Sequence, residues 1–92
     1  MWYYHNVLST QFRKDLKLAI KRGLNLDLLN TVISVLANGH KLEAKYKDHN
    51  LTGKYKDFRE CHIEPDWLLI YEIVDDVLVL MLYRVGSHSD LF

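Results

Sequence analysis

The chain predicts an α+β fold, a helical pair laid on a small, mainly antiparallel sheet. Three observations lead there. The hydrophobic period is helical from about residue 9 to 38 and strand-like from about residue 55 to 83. The two helical stretches are joined by a link of only a few residues, which makes an antiparallel hairpin. The apolar runs near the C-terminus are separated by short turn signals, as in a three-stranded meander. In order, Tyr3, His5 and Val7 alternate with Trp2, Tyr4 and Asn6, which reads as a short opening strand. Ser9 offers an N-cap to a helix carrying Phe12, Leu16, Ala19 and Ile20 at helical spacing, and Gly23 stops it. Asn25 caps a second helix, with Asp27 in its first turn and Leu29, Val32, Ile33 and Leu36 as its apolar stripe, ending at Gly39. Residues 40–53 are polar and basic and read as a loop. Tyr55 to Ile63 alternates as a strand, Pro65 interrupts, and Trp67 to Val74 is a long apolar run. Asp75-Asp76 makes a tight turn into Val77–Tyr83, and Gly86-Ser87 breaks that strand before a short tail, His88 to Phe92. Runs apolar at nearly every position imply central strands covered on both faces.

With 92 residues, 49% of them hydrophobic, the chain suits one domain spanning 1–92 that folds around a modest core. No apolar run approaches the roughly 20 residues of a membrane span. The aromatic start, Met1 to His5, lacks the layout of a secretory leader. The single cysteine, Cys61, excludes an internal disulfide and fits a reducing compartment, so a cytoplasmic location is expected. Formal net charge is zero, but unevenly spread. Residues 1–59 hold eleven Lys/Arg against five acids, a net of +6, while residues 60–92 hold Arg84 against seven acids, a net of −6. That asymmetry can present a basic surface to a phosphate backbone, although solvated helix faces give the same pattern.

The chemistry-bearing residues cluster by topology. In an antiparallel meander the end of the first strand, the start of the second and the end of the third lie at one edge. His62, Asp66, Arg84 and His88 therefore converge, and His49 in the basic loop can reach them. This set matches RNA cleavage without a metal. One group takes the proton of a ribose 2′-OH, another protonates the leaving 5′-oxygen, and a cation stabilises charge on the phosphate. Histidine suits the first two tasks and the guanidinium of Arg84 the third. Trp67 or Phe92 would stack on a base. Duller readings stand beside these. Each histidine alone suits a surface hydrogen bond, Asp66 a turn, Trp67 the core, and Arg84 a surface pairing with Glu72 or Asp90. Cys61 alternates with His62 and should be a buried, inert thiol on the other face. His5 and His40 have no assigned role. His49, His62, His88 and Asp66 are legitimate zinc ligands, but no local two-ligand motif is present, and neither metal nor cofactor is expected.

The segments Tyr46–His49 and Leu51–Gly53, the block RECHIEPDWLLIY from Arg59 to Tyr71, and the ending RVGSHSDLF from Arg84 to Phe92 resemble the YafQ family of the RelE/ParE toxin superfamily. The likeness covers nearly the whole chain. It implies a RelE-like fold and a ribosome-dependent endonuclease that cuts translated mRNA, leaving a 2′,3′-cyclic phosphate and a 5′-hydroxyl. By the same resemblance His88 is the general acid and Asp66 the preferred base, with His49 and His62 as alternatives or phosphate-positioning groups. Arg84 stabilises the transition state, and Trp67 and Phe92 position bases or support the site. Binding would draw on Lys45, Lys47, Lys54 and Lys56. The implied partners are the ribosome, mRNA and a cognate antitoxin, with DNA met only through the antitoxin complex. Two other classes compete: a non-catalytic inhibitor of a protein such as DNA gyrase, as ParE-type relatives are, and an inactive co-repressor. The acid–base set favours the nuclease.

Overall fold

The structure, a computed structural model, describes residues 3–92. Strand β1 (His5–Leu8) leads into helices α1 (Thr10–Lys21) and α2 (Leu26–Ala37), followed by strands β2 (His49–Asn50), β3 (Arg59–Glu64), β4 (Trp67–Val74) and β5 (Val79–Gly86) and a final turn of helix, α3 (His88–Leu91). The strands form one sheet in the order β1-β5-β4-β3-β2, antiparallel except for β1, which lies parallel to β5. The α+β expectation and the meander β3-β4-β5 are both found. Of the expected opening strand, Trp2 lies outside the described residues.

Both helices begin where their capping residues stand. The Ser9 hydroxyl accepts from Phe12 N–H, and the Asn25 side chain accepts from Asp27 N–H. Gly23 and Gly39, both at positive φ, end the two helices. Phe12, Ala19, Leu29, Val32, Leu36 and Ala37 meet Cys61, Trp67, Leu69, Tyr71, Leu80, Leu82 and Val85 in one core between the helices and the sheet.

Four local expectations change. Residues 55–58 do not open β3, because Gly53 at φ 66° starts a 3₁₀ turn, Gly53–Tyr55, and the strand begins only at Arg59. The loop before it holds another 3₁₀ turn, Ala44–Tyr46, and the two-residue β2, which pairs with β3. The Asp75-Asp76 turn is a 3₁₀ turn, Asp75–Val77, that exits through Leu78 at φ 52°. The C-terminal tail is helical, since Ser87 and Asp90 cap each other's backbone N–H groups in a capping box.

The sheet's two faces differ. Residues opposite one another on antiparallel strands share a face. Cys61, Leu69 and Val85 form one row across β3, β4 and β5 and point into the core. His49, Glu60, Ile70 and Arg84 form a row across β2, β3, β4 and β5 on the opposite face, with His62, Leu68 and Gly86 in the next row. Leu68 and Ile70 are buried there, so β4 is covered on both sides as its composition implied, on this face by polar and aromatic neighbours.

Candidate active site

The open face and the end of the sheet bring together most of the residues singled out from the sequence. His88 opens α3, directly after the last β5 residues. Its backbone N–H and its ring Nδ1–H both donate to Oδ1 of Asp66, at 3.0 and 2.9 Å, so Nε2 is left free. The two bonds, the backbone one first, hold the Asp66 carboxyl below the usual carboxylate range. Both side chains are well exposed, at 57% and 67%, and so reachable by a large substrate. The His62 ring stands 6.0 Å from that of His88 and 6.5 Å from that of His49. His62 Nδ1–H donates to the carbonyl of Pro65 at 3.3 Å, and His49 Nδ1–H to the carbonyl of Lys47 at 2.7 Å. Lys47 sits at φ 50°, and that bend delivers Asp48 and His49 to the sheet edge. On the core side, Asp48 accepts from Arg59 and from the Tyr71 hydroxyl, which ties the β2 loop to β3 and β4.

Arg84 is pinned from an unexpected direction. β1 covers β5 only as far as Leu82, and α1 closes the remaining edge. Ser9 Oγ donates to the carbonyl of Tyr83, while the buried carboxylate of Asp15 accepts from Val85 N–H at 3.1 Å and from Arg84 Nε and Nη2 at 2.9 and 3.2 Å. The alternative pairing with Glu72 or Asp90 is thus replaced by one with Asp15, since it is α1 that lies against this stretch of edge. Asp90 pairs instead with Arg22 at 2.7 Å and so fastens α3 to the end of α1.

Trp67 does not serve as a base-stacking surface here. It is 3% exposed and belongs to the core, because its β4 position faces the helices. With Asp66, Gly86, Ser87 and Asp90 it lines a cavity of about 180 Å³, supporting from beneath the turn that carries His88. Phe92, by contrast, is 61% exposed and meets Tyr55 edge-on at 6.3 Å. The lysines are all exposed. Lys54 lies over the Tyr55 ring, next to Phe92. Lys45 and Lys47 line a cavity of about 340 Å³ that His62 and Pro65 also border, and Lys56 stands beyond the Gly53–Tyr55 turn.

Sequence reasoning missed three contributors. Glu60 is buried on the open face between the two histidines, Asp15 is the anchor of Arg84, and Phe58 and Tyr83 stack at 4.6 Å beside it. For Asp15 a signal existed, since it falls on the same stripe of α1 as Phe12 and Ala19 and is a carboxylate where an apolar residue belongs.

A helical pair on a mixed five-stranded sheet, with a histidine-rich open end, is the architecture of the small bacterial toxins of type II toxin–antitoxin systems. Residues 4–92 match the family described as bacterial toxin of type II toxin–antitoxin system, YafQ, and the chain belongs to that family. The mRNA interferase toxin YafQ of Escherichia coli K12 is 44% identical over 85 residues, which cover 91% of this chain and 90% of that protein. The E. coli DinJ–YafQ toxin–antitoxin complex superposes with a TM-score of 0.90 at 41% identity, over 98% of both chains. A metal-bound toxin from Helicobacter pylori gives a TM-score of 0.91 at 49% identity over the whole of both chains. Among the described residues of the present chain, no three histidine, cysteine or carboxylate side chains gather closely enough to hold a metal ion, and no helix is long and apolar enough to cross a membrane.

Proposed function

We propose that this chain is an endoribonuclease that cuts mRNA in the translating ribosome, in the cytoplasm, and is neutralised by a cognate antitoxin. The observation that carries the reading is the meeting of a carboxylate-held histidine, His88, with two further histidines and an anchored arginine on one open face. The names of its E. coli relatives support the substrate and the partner.

The geometry suggests a division of labour. Asp66 accepts two hydrogen bonds from His88 and is a poor proton acceptor, so its role is to orient His88 and to stabilise that ring when it carries both protons. His88 then donates from Nε2 to the leaving 5′-oxygen. The base is His62 or His49, since each has Nδ1–H committed to a backbone carbonyl and an Nε2 lone pair left to take the 2′-OH proton. Attack of O2′ on phosphorus breaks the P–O5′ bond and leaves a 2′,3′-cyclic phosphate and a 5′-hydroxyl, with side chains alone as catalysts. Arg84 Nε and Nη2 face Asp15, leaving Nη1 for a phosphate oxygen. Phe92 stacks on a base, and Lys45, Lys47, Lys54 and Lys56 meet ribosomal or messenger phosphates. DNA is met only through the antitoxin complex.

The test is primer extension on a reporter mRNA in a purified translation system, comparing the wild-type chain with His88→Ala. Ribosome-dependent cuts that fall by about a hundredfold or more in the variant are expected, the range in which loss of a general acid lies. Intact mRNA alongside arrested growth would overturn the reading in favour of a non-catalytic inhibitor.

A further inference from the structure

Among the described residues, Glu60 is the one carboxylate on the open face that is shut away from solvent. Its side chain is 7% exposed, and a buried charge requires a partner. The neighbours its Oε1 has are His49 Nε2 at 3.5 Å and His62 Nε2 at 3.8 Å. Neither approach is a formed hydrogen bond. Both rings already place Nδ1–H on a backbone carbonyl, so in a neutral ring the atom nearest Glu60 carries a lone pair. A proton arriving at either Nε2 changes this, because the ring becomes a cation facing a poorly solvated anion.

We infer that Glu60 is the positioning residue of the proposed reaction, the shared counter-ion that holds His49 and His62 in place and stabilises whichever of them takes the 2′-OH proton. The inference rests on the nuclease reading above and deepens it. The proton passes from O2′ to Nε2, the oxygen pair attacks phosphorus and displaces O5′, which takes its proton from His88, and the Glu60 carboxylate compensates the imidazolium by charge alone. One carboxylate compensates one imidazolium, so the site is built for a single proton uptake per turnover.

The other ionisable groups near the two rings do not take over this role. Asp66 is engaged by His88, whose ring lies 6.0 Å from that of His62. Arg84 stands in the same row on β5, across Ile70, and is paired with Asp15. Asp48, next to His49, is bound by Arg59 and Tyr71. Glu64 is exposed at the end of β3.

The experiment compares the purified wild-type chain with Glu60→Gln and Glu60→Asp. It uses ribosome-dependent cleavage as a function of pH, and ¹⁵N spectra of the imidazoles in the free protein. Glu60→Gln keeps the volume and removes the charge. It should lower the cleavage rate by about tenfold, and should move the acid limb of the pH–rate profile to lower pH, since an anion near the base favours its protonated form. Glu60→Asp should restore a good part of the rate. The Nε2 signals of His49 and His62 should respond to Glu60→Gln in spectra where that of His88 does not. If Glu60→Gln stays folded with rate and acid limb unchanged, the inference is overturned while the nuclease reading stands. If the wild-type chain cuts nothing, the nuclease reading fails first, and the imidazole spectra still report whether Glu60 is coupled to the two rings. A loss of activity that Glu60→Asp does not restore, with imidazole signals unmoved, would make Glu60 a structural residue only.

Discussion

Replacing Asp15 by alanine should destabilise the fold and disarm Arg84 together. The carboxylate accepts four hydrogen bonds, from Arg84 Nε, Arg84 Nη2, Val85 N–H and Gln11 Nε2, at 2.9, 3.2, 3.1 and 3.3 Å. Its side chain is 7% exposed, whereas that of Arg84 is 23% exposed. Loss of the carboxylate leaves the Val85 N–H buried without an acceptor, at a cost of about 1–3 kcal/mol. Removing one partner from a fully buried ion pair costs about 3–5 kcal/mol, but water still reaches the guanidinium here, so the figure must be discounted. A total of about 3 kcal/mol follows, which for a domain of this size lowers the melting temperature by roughly 12 °C or more. Asp15→Asn keeps an acceptor for Val85 and should show about half that loss. Circular dichroism melts of both variants measure this. Cleavage assayed well below the melt should fall by about tenfold, because an unanchored guanidinium no longer meets the phosphate in a fixed pose. Lys14→Ala, on the exposed side of the same helix, should change neither quantity. An Asp15→Ala melt within about 2 °C of wild type would refute the energetic reasoning. A large drop in stability with undiminished cleavage would refute the link between α1 and Arg84.

The remaining predictions concern α3, the turn beneath it and the core thiol. Arg22, then the Ser87 N–H, pull the Asp90 carboxyl down to about 2. A depressed folded value means stabilisation that is present above the ordinary carboxylate range, near pH 4, and lost as the pH falls from there toward 2. The shift of Asp66 has the same sign. On acidification the amide signals of residues 87–92 should therefore lose their folded positions while those of β4 keep theirs; simultaneous loss would count against an independent α3. Gly86→Ala would place a Cβ 3.0 Å from Asp90 Cβ and 3.1 Å from its Oδ2, so α3 must shift and carry His88 with it. Cleavage should fall by about tenfold with a modest effect on the melt, and equal cleavage would show that His88 tolerates displacement. Burial first, then the nearby Asp48 and Glu60 charges, push the Cys61 thiol up to about 12. A chromogenic disulfide reagent at pH 8 should thus label the folded chain at least about a hundredfold more slowly than the unfolded one, and rapid labelling of the folded chain would place Cys61 outside the core.

How much of this was legible depended on whether the deciding partner lay nearby in the sequence. The helices were readable because Ser9 and Asn25 cap their own third and second neighbours, and the stripes Phe12–Ala19 and Leu29–Leu36 repeat within one element. The whole of β4, Trp67 to Val74, could be read because an apolar run bounded by Pro65 and Asp75-Asp76 leaves little choice of ends. The expected strand start at Tyr55 falls inside the 3₁₀ turn Gly53–Tyr55, and β3 begins four residues later, at Arg59. The α3 turn had a readable signal in Ser87 and Asp90, three residues apart, which form the capping box that aims His88. Glu60 was hidden by the usual rule that a charged residue in an alternating strand faces water. That rule fails here because the second face of the sheet is filled by the histidines, Arg84 and the Phe58–Tyr83 pair. Asp15 and Arg84 are 69 residues apart, and only the tertiary fold joins them.

The placement of Arg84 itself turns on one residue of irregular pairing. Along β5, Leu80 and Leu82 point into the core, and strict alternation from there would send Arg84 after them and turn Val85 outward. The strands avoid this because their pairing slips by one residue between Ile70 and Tyr71. Tyr71 stands opposite Leu82, Ile70 stands opposite Arg84, and Tyr83 is the extra residue. Tyr83 and Arg84 then share the open face, while Val85 returns to the core and presents its N–H to Asp15. The slip keeps three apolar residues inside, places an aromatic ring against Phe58, and delivers the guanidinium to the row that holds His49 and Glu60. An unbroken ladder through the same sequence would bury the arginine without its site and expose the valine. The bulge is therefore as necessary to the proposed chemistry as the side chains it presents.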